Sequence, residues 1–228
     1  MHRKRQSTNL ILNIYITILL FPLVVFMDAN VALWALVGYV VGSLPWGYWI
    51  GKLKGIDITK KGSGNIGAAN VNRVLGAKYA VLVAILDFLK GFLPPYMAYV
   101  LTSDPRLSLV AALFAGVGAA FSVFMRFHGG KGFAALAGAF IALAYITNSF
   151  GTVAVLATTW ISIVVLTRIA SLTNFVTMIT AIPLTALTGN AYLFSFAIFA
   201  TLLLSYTLRE NIKRLLEGTE RKITDRVR

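Results

Sequence analysis

The chain has 228 residues, 58% of them hydrophobic and only 13% charged, with a mean hydropathy of +0.78, whereas an ordinary soluble domain is about 45–50% apolar and about 25% charged. This excludes a soluble globular fold and reads as an all-α integral membrane protein. The absence of cysteine excludes a disulfide framework and thiolate metal sites, and the net charge of +13 acquires its meaning from where the bases fall.

A bilayer-spanning helix needs roughly 20 mostly apolar residues, because its backbone must satisfy its own hydrogen bonds in hydrocarbon. In chain order, eight stretches qualify: Asn9 to Met27, Val31 to Ile50, Tyr79 to Leu101, Ser108 to Met125, Phe133 to Thr147, Thr152 to Leu166, Thr173 to Thr188 and Ala191 to Thr207, the fifth and sixth being short. With the amino terminus (Arg3, Lys4, Arg5) in the cytoplasm and one crossing per stretch, all of the 21 Lys and Arg residues except Lys90 and Arg106 lie on the inner side. That is the positive-inside pattern, and it predicts an even number of crossings with both termini cytoplasmic. No aromatic-interleaved basic groove accompanies the charge, so the expected partner is a lipid bilayer and not nucleic acid.

The first stretch, with its basic start and apolar run, has two readings: a signal peptide or an uncleaved anchor. "VFMDAN" offers no clear pair of small residues at cleavage spacing, and the apolar run is long for a signal peptide, which favours the anchor. The organisation expected is a basic amino terminus with an extra membrane helix over 1–30, a membrane domain over 31–208 and a basic amphipathic tail over 209–228.

Between the second and third stretches, "KKGSGNIGAANVNR" (Lys60 to Arg73) contains a formal G-x-G-x-x-G at Gly62, Gly64 and Gly67. A dinucleotide fingerprint needs a preceding strand, a following helix and an acidic residue about 20 positions on, and the neighbours here are membrane spans. A mere connector does not need Asn65, Asn70, Asn72 and Arg73 beside the glycines. Glycines allow backbone N–H groups to converge on an anion, Asn side chains add donors, and Arg grips phosphate bidentately. An anion site is the reading this segment supports over a bland loop.

Within the third stretch, Asp87 and Lys90 stand three residues apart on one helix face, each costing about 2.5–3.5 kcal/mol at mid-bilayer on insertion scales. They predict a functional or internally paired site, and Pro94 and Pro95 predict a kink just beyond. A second inner loop, "RFHGGKGF" (Arg126 to Phe133), frees the backbone around Lys131 through Gly129, Gly130 and Gly132 and opens directly into a helix, so that a helix amino terminus and a lysine meet at one anion-sized spot. It is not a Walker loop: Met125 stands where glycine is required, and no Ser or Thr follows the lysine. In the tail, "RENIKRLLEGTERK", Ile212, Leu215 and Leu216 form an apolar stripe among Arg209, Lys213 and Arg214, predicting a helix on the inner leaflet with Asn211 and Arg214 at helical spacing toward the site.

"GSLPWGYWIGKLKGIDITKKGSGNIGAANVNRVLG", "LDFLKGFLP", "FHGGKGFAA", "TRIASL" and "RENIKRLLEGTE", in this order, resemble the bacterial acyl-phosphate-dependent glycerol-3-phosphate acyltransferases over about Val31 to Lys222. The resemblance implies seven membrane helices, here plus the extra amino-terminal one, in the bacterial plasma membrane. It implies transfer of a fatty acyl group from acyl phosphate to the 1-hydroxyl of sn-glycerol 3-phosphate, giving lysophosphatidic acid and phosphate without cofactor or metal. Carried over residue by residue, it implies Lys131, Arg73 and Ser63 as catalytic groups. Asn65, Gly64, Gly67, Asn70, Gly129, Gly130, Ser171 and Asn211 are the implied substrate-binding groups.

The chain also departs from the family pattern. Gly118, Ala119 and Ser122 stand where Gly-His-x-x-Pro is usual, Leu208 stands three before Asn211 where histidine is usual, Ala69 replaces a threonine, and Ile169 an aromatic residue. With both histidines absent, the expected chemistry is substrate-assisted: an acyl-phosphate oxygen accepts the hydroxyl proton while Lys131 and Arg73 stabilise charge, with His128 as a backup base. Two competing classes remain open at this point, a non-catalytic relative that binds lipid phosphates and a transporter built on Asp87 and Lys90.

Overall fold

The computed structural model describes residues 28–225; the expected first span, Asn9 to Met27, lies outside the described residues. Two compact units divide the chain, Met1–Leu33 and Trp34–Arg228. Of the first, only the opening turn of a helix is described, where Asp28 accepts a hydrogen bond from the Asn30 N–H at 3.0 Å. The elements are α1 (Ala29–Gly42), α2 (Trp46–Leu53), α3 (Ala68–Leu75), α4 (Ala77–Thr102), α5 (Pro105–Ala120), α6 (Phe133–Ile146), α7 (Phe150–Thr167), α8 (Ala170–Leu187), α9 (Ala191–Thr207) and α10 (Arg209–Leu216), with short 3-10 turns at Ile58–Lys60 and Val123–Met125. No strand occurs among the described residues.

Among the described residues, five helical segments are long and apolar enough to cross a membrane: Ala29–Leu53, Ala77–Thr102, Pro105–Met125, Phe150–Thr167 and Ala170–Leu187. A sixth is reached if α9 and α10, which meet at a bend of 68°, count as one. α6 is apolar but has 14 residues, roughly 21 Å at about 1.5 Å per residue, short of a bilayer's hydrocarbon core. The helices coincide with the expected spans, apart from a break in the second and an early end to α5. Large apolar side chains left exposed, among them Leu166, Leu187 and Leu202, suit lipid as the surrounding solvent.

Lipid gives helices no hydrophobic reason to associate, so close backbone approach through small residues must supply the contact. α4 and α6 meet this way. A Cβ at Gly91 would land on the Ala135 carbonyl oxygen, and one at Gly138 on that of Phe88. α1 and α5 repeat the device, with Gly38 and Gly42 set against the Ala111 and Ala115 carbonyls. The main core gathers Leu136, Phe140 and Leu143 of α6, Phe196 and Leu204 of α9, Leu156 of α7 and Met178 of α8. Leu208, 2% exposed, closes this core at its end.

The break between α1 and α2 explains the charged pair inside α4. Pro45 has no N–H and cannot continue the helix, which leaves carbonyls at the end of α1 without intrahelical donors. Ser122 Oγ donates to the Ser43 carbonyl at 2.5 Å, and Lys90 Nζ to the Leu44 carbonyl at 2.9 Å. Asp87 Oδ1 lies 2.7 Å from the same Lys90 Nζ. The pair expected from the spacing therefore forms internally, with its lysine bonded to a broken helix end, and this arrangement offers transport no particular support. α4 continues through Pro94 and Pro95 as one helix to Thr102.

Candidate active site

The first glycine-rich loop is a folded module with its own core. Asp57 accepts from the Thr59 N–H at 3.1 Å and the Thr59 hydroxyl at 2.6 Å, starting a turn that buries Ile58 completely. Ile58 packs with Ile50, Ile66, Val71 and Val83, tying the loop to α2, α3 and α4. Asn70 then fastens the chain from below. Its Oδ1 accepts from the Ser63 N–H at 2.7 Å, and its Nδ2 donates to the carbonyls of Ile58 (3.2 Å) and Lys61 (3.0 Å). At 1% exposed, Asn70 has its amide committed to this backbone. Gly64 has φ +72°, with its N–H bonded to the Lys61 carbonyl at 3.0 Å, a left-handed turn that suits glycine. Asn65 Oδ1 accepts from the Gly67 N–H at 2.9 Å at the start of α3, and Ser63 keeps its side chain exposed.

The second loop is shaped by close approach. The Gly129 and Gly130 N–H groups donate to the Ala120 and Ala119 carbonyls, both at 3.0 Å, so they satisfy the end of α5 and are not open donors for a ligand. A Cβ at Gly129 would strike those same carbonyls. Gly132, at φ +81°, turns the chain into α6. Lys131 is thereby held between the two, its carbonyl accepting from Thr207 Oγ1 at 3.0 Å and its Nζ donating to Asn211 Oδ1. Burial lowers its pKa to about 8, the Arg214 charge adds to this, and Glu220 opposes it. His128 is exposed, with Nδ1 2.7 Å from the Arg126 carbonyl. A carbonyl only accepts, so Nδ1 carries the proton.

The tail returns across this face. Asn211 of α10 is 9% exposed, and its Nδ2 donates to Glu220 Oε1 at 2.5 Å. Ser171 Oγ, in the first turn of α8, donates to the same oxygen at 2.9 Å, and Arg214 Nε to Oε2 at 2.7 Å. Beyond Glu220, Arg73 Nη2 donates to the Lys222 carbonyl (3.1 Å), Asn72 Nδ2 to that of Ile223 (3.3 Å) and Arg221 Nη1 to that of Gly62 (3.0 Å), while the Ile223 N–H donates to the Arg168 carbonyl (2.8 Å). Arg73 Nε is buried without a partner; burial and the nearby Arg221 charge push its pKa down. Ile212 of the expected leaflet-facing stripe packs against the main core, and Leu216 is left exposed.

A cleft of about 310 Å³ opens beside Lys131, bounded by Asn65, Gly129, Gly130, Thr207 and Arg209 on its polar side and by Phe121, Phe127 and Tyr206 on its apolar side. Asn65, His128, Gly129, Gly130 and Lys131 thus share one cleft. Lys131, Asn211 and Ser171 share one polar chain through Glu220. Arg73 joins through the tail, and Ser63, Gly64, Gly67 and Asn70 belong to the folded loop. Arg214 had only its helical spacing to point inward. Glu220 lies past the end of α10, where periodicity no longer places a side chain; its one signal was its position at the end of "RENIKRLLEGTE", a stretch of the family resemblance in which it carried no assigned role. Among the described residues no group of three or more His, Asp or Glu side chains comes together as metal ligands would. Ala119, 4% exposed, and Leu208 are packed apolar residues where the family resemblance implies histidine.

The family model for glycerol-3-phosphate acyltransferase matches residues 32–218. A glycerol-3-phosphate acyltransferase of Thermotoga petrophila is 41% identical, over 84% of this chain and 95% of that protein, and one of Aquifex aeolicus is 38% identical over 81% and 94%. Among solved structures, PlsY (YgiH), an integral membrane glycerol 3-phosphate acyltransferase, in its glycerol 3-phosphate form superposes with a TM-score of 0.79 at 36% identity, covering 85% of this chain and 96% of that one. Its lysophosphatidic acid form gives 0.77.

Proposed function

Because the chain belongs to the glycerol-3-phosphate acyltransferase family of integral membrane proteins, we propose that it transfers a fatty acyl group from acyl phosphate to the 1-hydroxyl of sn-glycerol 3-phosphate. The products are lysophosphatidic acid and phosphate, and the setting is phospholipid synthesis at the cytoplasmic side of a bacterial plasma membrane, with both termini inside. The observation that carries this reading is the placement of Lys131: a lysine fastened by Asn211 at a cleft with a cationic, polar wall and an aromatic one. Two phosphates, one bearing a long chain, need such a boundary.

The acyl phosphate is already activated, so no side-chain nucleophile is required. The glycerol hydroxyl oxygen attacks the acyl carbon, the bond from that carbon to the phosphate oxygen breaks, and the hydroxyl proton passes to an oxygen of the departing phosphate. Lys131 and Arg73 stabilise the negative charge that grows on the carbonyl and leaving oxygens. Ser63, Asn65, Ser171 and Asn211 hold the phosphates. Gly64, Gly67, Asn70, Gly129 and Gly130 give the two loops their shape. Residues Ala119 and Leu208 supply no base, which suits a substrate oxygen as the proton acceptor.

The test is direct. Purified protein in detergent is given acyl phosphate and glycerol 3-phosphate, and phosphate release is followed with lysophosphatidate formation. Coupled appearance of both products supports the reading. Binding without turnover would select a non-catalytic lipid-phosphate binder instead.

A further inference from the structure

Arg209 shares the lining of the cleft with Lys131. It is the first residue of α10, set just past the 68° bend that separates α10 from α9. Its guanidinium lies over the Tyr206 ring, 4.6 Å from the centroid, and its Nη1 donates to the Tyr206 carbonyl at 3.0 Å. Tyr206 meets Phe121 ring to ring at 5.9 Å, and the Phe121 carbonyl accepts from Tyr39 Oη at 2.9 Å. The charge therefore stands on a braced aromatic surface, at the seam between the polar and the apolar wall of the cleft.

This cation lacks an anion. Among the described residues no carboxylate forms an ion pair with Arg209, and no acceptor besides the Tyr206 carbonyl engages its N–H groups. The start of a helix disfavours positive charge. The Arg209 charge also adds to burial and to the Arg214 charge in lowering the Lys131 pKa, so two cations repel each other across one cleft, and a bound anion offsets that repulsion. A guanidinium presents its donors in a planar fork that matches phosphate oxygens. Beside it, Tyr206 and Phe127 are 54% and 61% exposed, an apolar surface open to a hydrocarbon chain.

We propose that Arg209 selects the tail-bearing substrate: its guanidinium binds the phosphate of an acyl or alkyl phosphate whose chain starts along Tyr206, Phe121 and Phe127. A phosphate without a chain gains nothing from the aromatic wall, so glycerol 3-phosphate does not depend on Arg209. This rests on the acyltransferase reading for what the tailed phosphate is, but the selection itself can be measured without turnover. Arg209 holds peripheral phosphate oxygens and takes no part in bond making. It therefore contributes equally to the ground state and the transition state, and its loss falls on KM and spares kcat.

Full-length wild type, Arg209→Gln, Arg209→Lys and Tyr206→Leu are compared in an uncharged detergent, with thermal unfolding to verify folding. Octyl phosphate and glycerol 3-phosphate are titrated by calorimetry, and kcat and KM are measured for acyl phosphate and glycerol 3-phosphate. In Arg209→Gln the affinity for octyl phosphate is expected to fall about tenfold, the loss of one charge-assisted contact, and KM for acyl phosphate to rise by about the same factor. Glycerol 3-phosphate affinity and kcat should stay within about twofold. Arg209→Lys should recover part of the loss, because it restores the charge without the fork, and Tyr206→Leu should lose about threefold with the ring that seats the guanidinium. Unchanged octyl phosphate affinity in Arg209→Gln overturns the proposal, as does failure of wild type to bind it. An equal loss for both ligands also overturns it, by making Arg209 part of a general positive field, and so does a fall in kcat in the folded variant, which would place it at the reacting bond. If no protein turns over, the acyltransferase reading fails, and calorimetry alone still decides the role of Arg209.

Discussion

The two glycine-rich loops use the same residue for opposite purposes. In the loop of Ile56 to Gly67, glycine serves the backbone angle: Gly64 turns left-handed and Asn70 staples the result from beneath. In the loop of Arg126 to Gly132, Gly129 serves proximity, letting the chain lie on the end of α5 so that Lys131 emerges at the cleft. In neither are the glycines chiefly a cradle of free N–H groups. On the proposed reading the anions are met by side chains, Lys131, Asn211, Ser171 and Arg73, and the loops decide where those side chains stand.

This contrast can be broken at both ends. Lys131→Ala removes the charge at the cleft and is expected to lower kcat by about 10²- to 10³-fold, measured as phosphate release from acyl phosphate, with the thermal transition little changed. Asn70→Ala acts through the fold: the Ser63 N–H loses its acceptor, while the Ile58 and Lys61 carbonyls each lose one of two donors and keep the Lys61 and Gly64 N–H groups; at about 0.5–1.5 kcal/mol per bond, unfolding in detergent should move to lower temperature and activity should fall with it. Gly129→Ala forces the loop off the Ala119 and Ala120 carbonyls, an overpacking cost of about 1–3 kcal/mol, and should raise KM by displacing Lys131. His128→Ala is expected to change turnover by less than about threefold across pH, because an exposed residue outside the proposed proton path lacks the usual 10²-fold or larger role of a general base; a larger loss would restore His128 as the base.

Much of the architecture was legible because lipid makes sequence rules strict. Long apolar runs had to be helices, and Ala77–Thr102, Phe133–Ile146 and Ala191–Thr207 fall almost where hydropathy put them. Pro45 signalled a break inside the second run only in retrospect, since the donors that make it tolerable, Ser122 and Lys90, come from elsewhere in the chain. The pair of Asp87 and Lys90 was visible from its spacing. Its attachment to the Leu44 carbonyl was not, because a long-range contact leaves no periodic trace. Lys131 and Asn211 were legible through the family resemblance, and the structure brings them into contact. Their link through Glu220 to Ser171 and Arg214 depends on a turn at Gly218 that no apolar pattern announces.

The central claim is that the Lys131 charge drives transfer, and the pH dependence of kcat/KM tests it most directly. Burial lowers the Lys131 pKa to about 8, so its cation is present below that value and is lost as pH rises through it; kcat/KM, which reports the free enzyme, should fall over the same interval. In Lys131→Arg the guanidinium stays charged to above about pH 12, so the alkaline fall should disappear from that range even if the rate at neutral pH is lower. An alkaline limb at the same pH in wild type and Lys131→Arg would contradict the account.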